Sequence, residues 1–222
     1  MERHFVQELE ALKTNIIRMG SMAERGVVDA MRAFLERSPA LAQAVIEREQ
    51  RINSLELEID NAVVDLLALQ QPVASDLRFI LAALKINNDL ERIGDHAVNI
   101  AESAISYAAR PALEVKSDLP RMAQITQAML GDALDGFIHN NPAPCRGVLQ
   151  NDDLIDAMNK KTVSDLVVLI QKEPGSVNQA LELVRVSRNL ERVADLATNI
   201  AEEVIFVAEA HIVKHSGTAP PP

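Results

Sequence analysis

Thirteen residues recur one hundred positions apart: Leu90-Glu91-Arg92-Ile93-Gly94-Asp95-His96-Ala97-Val98-Asn99-Ile100-Ala101-Glu102 returns as Leu190-Glu191-Arg192-Val193-Ala194-Asp195-Leu196-Ala197-Thr198-Asn199-Ile200-Ala201-Glu202. Nine of the thirteen are identical. The likeness continues upstream, where Glu49-x-x-Ile52-Asn53-x-Leu55 is answered by Asp152-x-x-Ile155-Asp156-x-Met158 at a slightly longer offset. A chain that repeats itself in this way is two copies of one supersecondary unit, and each copy must fold by the same rules.

The copies are helical. Proline and glycine fall at Ser38-Pro39, Gln71-Pro72, Arg110-Pro111 with Leu119-Pro120, Asn140–Pro144 and Pro174-Gly175, and they leave six helix-length segments between them. These predict helices over about 3–37, 40–70, 75–108, 119–139, 145–171 and 177–214. In the third helix of each copy the apolar positions step by four and three: Ile86, Leu90, Ile93, Ala97, Ile100, Ala104, and Val186, Leu190, Val193, Ala197, Ile200, Val204. One buried seam per helix follows, with crossing angles near 20°. Short connections make neighbours antiparallel. The expected fold is all-α, two tandem antiparallel three-helix bundles: residues 1–108, a linker at 109–118, residues 119–214, and a disordered tail at 215–222.

Charge and composition narrow the function. Twenty-two Lys and Arg against thirty-two Asp and Glu leave a net charge of −10, with no basic run, so nucleic acid and anionic lipid are not expected partners. Uncharged stretches such as Leu66–Ser75 reach ten residues, about half of what a bilayer span needs. No signal-peptide pattern opens the chain and Cys145 is the sole cysteine, so the expected address is the cytoplasm and no intramolecular disulfide is expected.

The chemistry lies in the acids beside the seams. Glu91 and Asp95 are one turn apart, as are Glu191 and Asp195, and like charges so placed destabilise a helix unless something offsets them. Folding helix two antiparallel onto helix three brings Glu49, Asn53 and Glu56 within about one turn of Glu91 and Asp95. In the second copy Asp152 and Asp156 meet Glu191 and Asp195. Carboxylates crowded beside an apolar seam demand either raised pKa values or a multivalent cation. All-oxygen ligands are hard and favour Mg²⁺, Mn²⁺, Ca²⁺ or iron. The competing reading is a structural polar network, because Arg92 and Arg192 sit inside the motifs and are able to pair with these acids. A di-iron oxidase would need Glu-x-x-His, and none of the five histidines has a carboxylate three residues before it. His96 becomes Leu196 in the second copy and reads as a local packing or polar residue and not a ligand, and there is no Gly-rich phosphate loop.

The two Leu-Glu-Arg motifs, the Gln71-Pro72-Val73-Ala74-Ser75-Asp76-Leu77-Arg78 turn and the Met19-Gly20 pair resemble the PhoU family of phosphate-transport accessory proteins, over nearly all of positions 3–212. The resemblance implies a cytosolic, non-enzymatic, often dimeric protein. Such a protein restrains uptake through the Pst phosphate transporter, acting on its cytoplasmic ATPase subunit, and keeps the phosphate-starvation response off through a PhoR-type sensor histidine kinase. It would reach the membrane only through those partners. It also implies metal ions (Mg, Mn, Fe or Zn) held at Glu91 with Asp95 and Glu191 with Asp195, joined by Glu49 with Asn53 and by Asp152 with Asp156. Asn53 stands where the second copy has Asp156, so the first site carries one negative charge fewer. Gly94 and His96 become Ala194 and Leu196, a looser second copy. The alternative is a metal-free helical scaffold whose acidic repeats only fix helix register.

Overall fold

A computed structural model describes residues 2–70, 72, 74–113 and 117–210. Six helices account for nearly all of them: α1 (Glu2–Leu35), α2 (Pro39–Gln70), α3 (Ala74–Ala108), α4 (Leu119–His139), α5 (Pro142–Lys172) and α6 (Val177–Glu209), with one 3₁₀ turn at Pro174–Ser176 before α6. The described residues contain no strand. The all-α, two-bundle expectation stands, and α1–α3 and α4–α6 each fold up, down and up. No described helix is long and apolar enough to cross a membrane.

Helix ends differ from the sequence expectation where caps intervene. Helix one was expected to reach 37 but stops at Leu35, because Arg37 turns left-handed (φ 53°). Ser38 N–H then donates to Ala33 O and Arg37 N–H to Phe34 O, the paired bonds of a Schellman cap without glycine. The Arg37 guanidinium lies 4.8 Å over the Tyr107 ring and donates to Ala108 O and Arg110 O. A distant tertiary contact thus holds the strained residue. Asn140 (φ 49°) ends α4 by the same bonds, Asn141 caps α5 by accepting from Ala143 N–H, and Pro142 begins the helix three residues before the expected 145. The last helix, expected to 214, stops at Glu209 with Ala210 left-handed. The tail assigned to 215–222 lies outside the described residues.

The seam residues are buried as a row in both α3 and α6. These two helices also carry a second buried stripe, since α3 packs on α1, α2 and α6, and α6 on α4, α5 and α3, while α1 meets α4. One continuous apolar core therefore runs through both repeats. The α3–α6 contact is antiparallel, because Lys85 pairs with Glu203 (3.0 Å), His96 bonds Asn189 (2.9 Å), Arg185 pairs with Glu102 (3.7 Å) and Ser106 donates to Glu182 (2.7 Å). An approximate twofold relation between the repeats follows, with Glu91–Asp95 and Glu191–Asp195 flanking the middle of the contact. His96 is spent on this interface, as its loss from the second repeat suggests.

Close approach of helices decides the fate of two α4 glycines. A Cβ on Gly136 would stand 2.5 Å from Cys145 Sγ and 3.0 Å from the Asn141 carbonyl oxygen, whereas on Gly131 its nearest neighbour would be Glu24 Oε1 at 3.8 Å. Cys145 is wholly buried, and loss of hydration pushes its thiol up to about 11, so it is a packing residue without nucleophilic character. Gly136→Ala should destabilise the fold by about 1–3 kcal/mol through overpacking. Gly131→Ala should stabilise it by roughly 0.5–1 kcal/mol through helix propensity. Urea unfolding of the two variants, read by helical circular dichroism, separates these opposite signs.

Candidate metal centre

The second repeat gathers its acids. Antiparallel α5 and α6 bring one carboxylate oxygen each from Asp156, Glu191 and Asp195 to within 4.8 Å of one another, all three residues being half-buried. Asp152, one turn before Asp156, accepts from Thr198 Oγ1 at 3.3 Å. Burial pushes the Glu191 carboxyl above its ordinary value and the charge of Asp195 pushes it further, with Arg192 opposing. Asp152 is raised for the same two reasons, burial and then Asp195, against the Thr198 hydrogen bond.

Counter-charges are present but outnumbered. Arg192 donates to Asp195 Oδ2 at 2.8 Å and stands 3.5 Å from Glu191 Oε2, and Lys160 stands 3.5 Å from Asp156 Oδ2. Both cations are largely exposed, so water screens their attraction. Four carboxylates face two paired, solvated cations, with Arg188 acting on Glu191 only through its charge, so the acids remain in excess and suit a multivalent cation. The oxygen-only donor set fits a hard cation such as Mg²⁺, Mn²⁺ or iron; no thiolate or imidazole is among it.

The first repeat is built differently. Glu91 is raised by burial, then by Asp95, Glu56 and Glu49, so the four acids do share one field. Glu56 is raised by burial and by Asp60 and Asp95. Yet among the described residues no three carboxylate oxygens converge here as they do in the second repeat. Asn53 replaces the acid, donates its Nδ2 to Glu49 Oε1, and leaves its own Oδ1 buried without a hydrogen-bond partner. That orphaned acceptor beside Glu49 is the feature here that fits a cation. Arg92 sits 3.9 Å from Asp89 and opposes the rise of Glu91 only through its charge, whereas Arg192 pairs directly with Glu191 and Asp195. Asp95 is exposed, Asp195 half-buried.

Sequence reasoning missed Thr198 and the Asn87–Asp60 pair (2.8 Å), which extends the first site by a turn along both helices. Each is spaced three or four residues from a motif acid, and that spacing was the available signal.

Known proteins share this repeated helical fold. The PhoU domain matches residues 16–104 and again 119–204. The phosphate-specific transport system accessory protein PhoU homologue of Clostridium acetobutylicum is 34% identical over 204 residues, covering 91% of this chain and 93% of that protein. The homologue of the same description from Pseudomonas aeruginosa is 35% identical, over 98% of this chain and 90% of its own. The crystal structure of PhoU from Pseudomonas aeruginosa superposes with a TM-score of 0.91 at 34% identity, covering 93% of this chain and all of that one. That of the phosphate transport system regulatory protein PhoU from Streptococcus pneumoniae gives 0.86 at 26% identity, covering 95% of this chain and 99% of its own.

A carboxyl whose pKa is higher in the fold than in the open chain stabilises the fold below its ordinary value, and that contribution is lost as pH rises through the folded value. For Glu56, Glu91 and Glu191 the loss begins above 4.5, and for Asp152 above 3.8. In chelator, these carboxyls should therefore make the protein lose thermal stability as pH rises above about 4.5. Glu191→Gln should raise the pH 7 melting temperature by roughly 1–3 °C and flatten that slope. Calorimetry across the range checks both, and an unchanged slope would show that the cluster is already neutralised without metal.

Proposed function

The chain belongs to the PhoU family, and on that footing we propose that it is a negative regulator of phosphate uptake and of the phosphate-starvation response. It works as a metal-binding cytosolic adaptor with no enzymatic chemistry of its own, in keeping with a non-enzymatic family. Its partners are the ATPase subunit of the Pst transporter and a PhoR-type sensor kinase, which it meets as a homodimer. The relatives' description as accessory proteins of a phosphate-specific transport system supports the transporter as partner.

The observation that carries the metal part is the convergence of the Asp156, Glu191 and Asp195 oxygens. A bound divalent cation supplies positive charge that cancels the repulsion among these acids. Asp156 and Asp195 then hold α5 and α6 at one spacing, while Asp152 is kept oriented by Thr198. Such a face differs in charge and rigidity between its loaded and empty states, and a partner that docks on it is sensitive to cation occupancy. In the first repeat Glu49, Glu91 and Asp95, with the Asn53 oxygen, form a weaker counterpart having one charge fewer.

A metal-free scaffold is favoured by one specific observation, the Arg192 pairs to Asp195 and Glu191, which already tie the motif together. The two readings separate by elemental analysis of the purified protein beside an Asp156→Asn/Asp195→Asn variant. The expected result is close to one equivalent of divalent metal or more in the wild type and at least a tenfold lower content at the second site in the variant. Capture of the transporter ATPase subunit should fall on addition of chelator and return with Mn²⁺ or Mg²⁺. No divalent metal in the wild type, with capture indifferent to chelator, would establish the scaffold.

A further inference from the structure

The first repeat holds a cavity of about 400 Å³ between α1, α2 and α3, and four arginines line it: Arg18 and Arg25 from α1, Arg48 and Arg51 from α2. Glu49 is the one carboxylate in its wall, and its Oε1 is already taken by Asn53. In a chain of net charge −10 this is a local reversal of sign. Arg48 is paired, to Asp29. Arg18, Arg25 and Arg51 have no carboxylate within ion-pair distance among the described residues.

The arginines are organised. Residues 18 and 25 are two turns apart on one stripe of α1, about 10 Å along the axis, and residues 48 and 51 are one turn apart on α2. The Arg48–Asp29 pair sets the antiparallel register and brings Arg51 level with Arg25, so two exposed, unpaired arginines line the groove at the same height. Like charges so placed repel, and an anion between them turns that repulsion into attraction. The floor is Gly26 and Gly94, with Ile52 so close that a Cβ on Gly94 would stand 3.1 Å from its Cδ1. The second repeat is an internal control: Arg25, Arg48, Arg51 and Gly94 are replaced there by Ala128, Asn151, Leu154 and Ala194, and of the four arginines only Arg18 is kept, as Arg121. The basic cavity belongs to one repeat alone, so it is not a consequence of the shared helical frame.

We propose that the cavity between α1, α2 and α3 binds a small anion carrying two or more phosphoryl groups. Guanidinium forks match phosphoryl oxygens in pairs. One tetrahedral ion would reach two of the four arginines, whereas a diphosphate or triphosphate chain spans from Arg51 and Arg25 toward Arg18. The volume is that of a small-molecule site, and Met22, Val45 and Ala97 offer an apolar wall to an organic substituent. This site shares Glu49 with the acids of the first repeat and is separate from the metal cluster in the second.

Titration calorimetry on the full chain with phosphate, pyrophosphate and ATP, in chelator so that no metal bridges the ligand, tests the proposal. Saturable binding of pyrophosphate or ATP is expected, at least tenfold tighter than phosphate, and weakened at least tenfold in Arg18→Ala/Arg51→Ala. Arg121→Ala, outside the cavity, should bind as wild type, and Arg18→Lys/Arg51→Lys should recover part of the affinity. ATP binding without pyrophosphate binding would assign the apolar wall to the organic part; pyrophosphate binding as tight as ATP would assign recognition to the phosphoryl chain. No saturable binding, phosphate bound as tightly as the others, or full affinity in a folded double-alanine variant overturns it, folding being read from circular dichroism and melting temperature.

Discussion

The antiparallel contact of α3 with α6 is the constraint on which the rest of the molecule depends. Each of these helices is the third rod of its own bundle and also the wall it shares with the other. Two buried stripes per helix result, one of them the alternating apolar seam and the other carrying Ala82, Asp89 and Ser103 on α3 and Glu182, Leu196 and Glu203 on α6. The two glutamates in that second stripe are tolerable because they find partners across the contact, Glu203 in Lys85 and Glu182 in Ser106, while Ser103 donates to Asn99 O within its own helix. An apolar-only interface would slide, while these bonds fix a single register.

From that register follows the placement of the acids. Both motif pairs are held near the middle of the molecule, on rigid helices and away from fraying ends, with a preceding helix laid against each. A site built on packed helices is more precise than one on loops, and the half-burial of Glu91 and Glu191 is what raises their carboxyls. The repeats then diverge. The second concentrates four acids around Asp195; the first trades an acid for Asn53 and opens an arginine-lined cavity one turn away. Duplicated units often keep the frame while their faces specialise, and here the specialisation is one of charge sign.

Much of this was legible from residue spacing. The repeat, the six helices and both seams follow from apolar period and breaker positions, since a helix can hide its hydrophobic residues only on one stripe. The motif acids were legible too, because helices joined by short turns leave little choice of partner. Helix ends were less so: Arg37 occupies a left-handed conformation usually taken by glycine, and its anchor, Tyr107, is seventy residues away. The inequality of the two sites was only hinted at by Asn53.

The amino-acid order alone determined the helical frame, its twofold internal likeness and the acids that one turn of helix sets side by side, because these are consequences of periodicities within single segments. Tertiary structure decided how the halves join, which acids converge within reach of one ion, and that Arg18 and Arg25 share a cavity with Arg48 and Arg51. Those outcomes depend on the relative level and rotation of separate helices, and a shift of one turn, invisible in any one segment, would change them all.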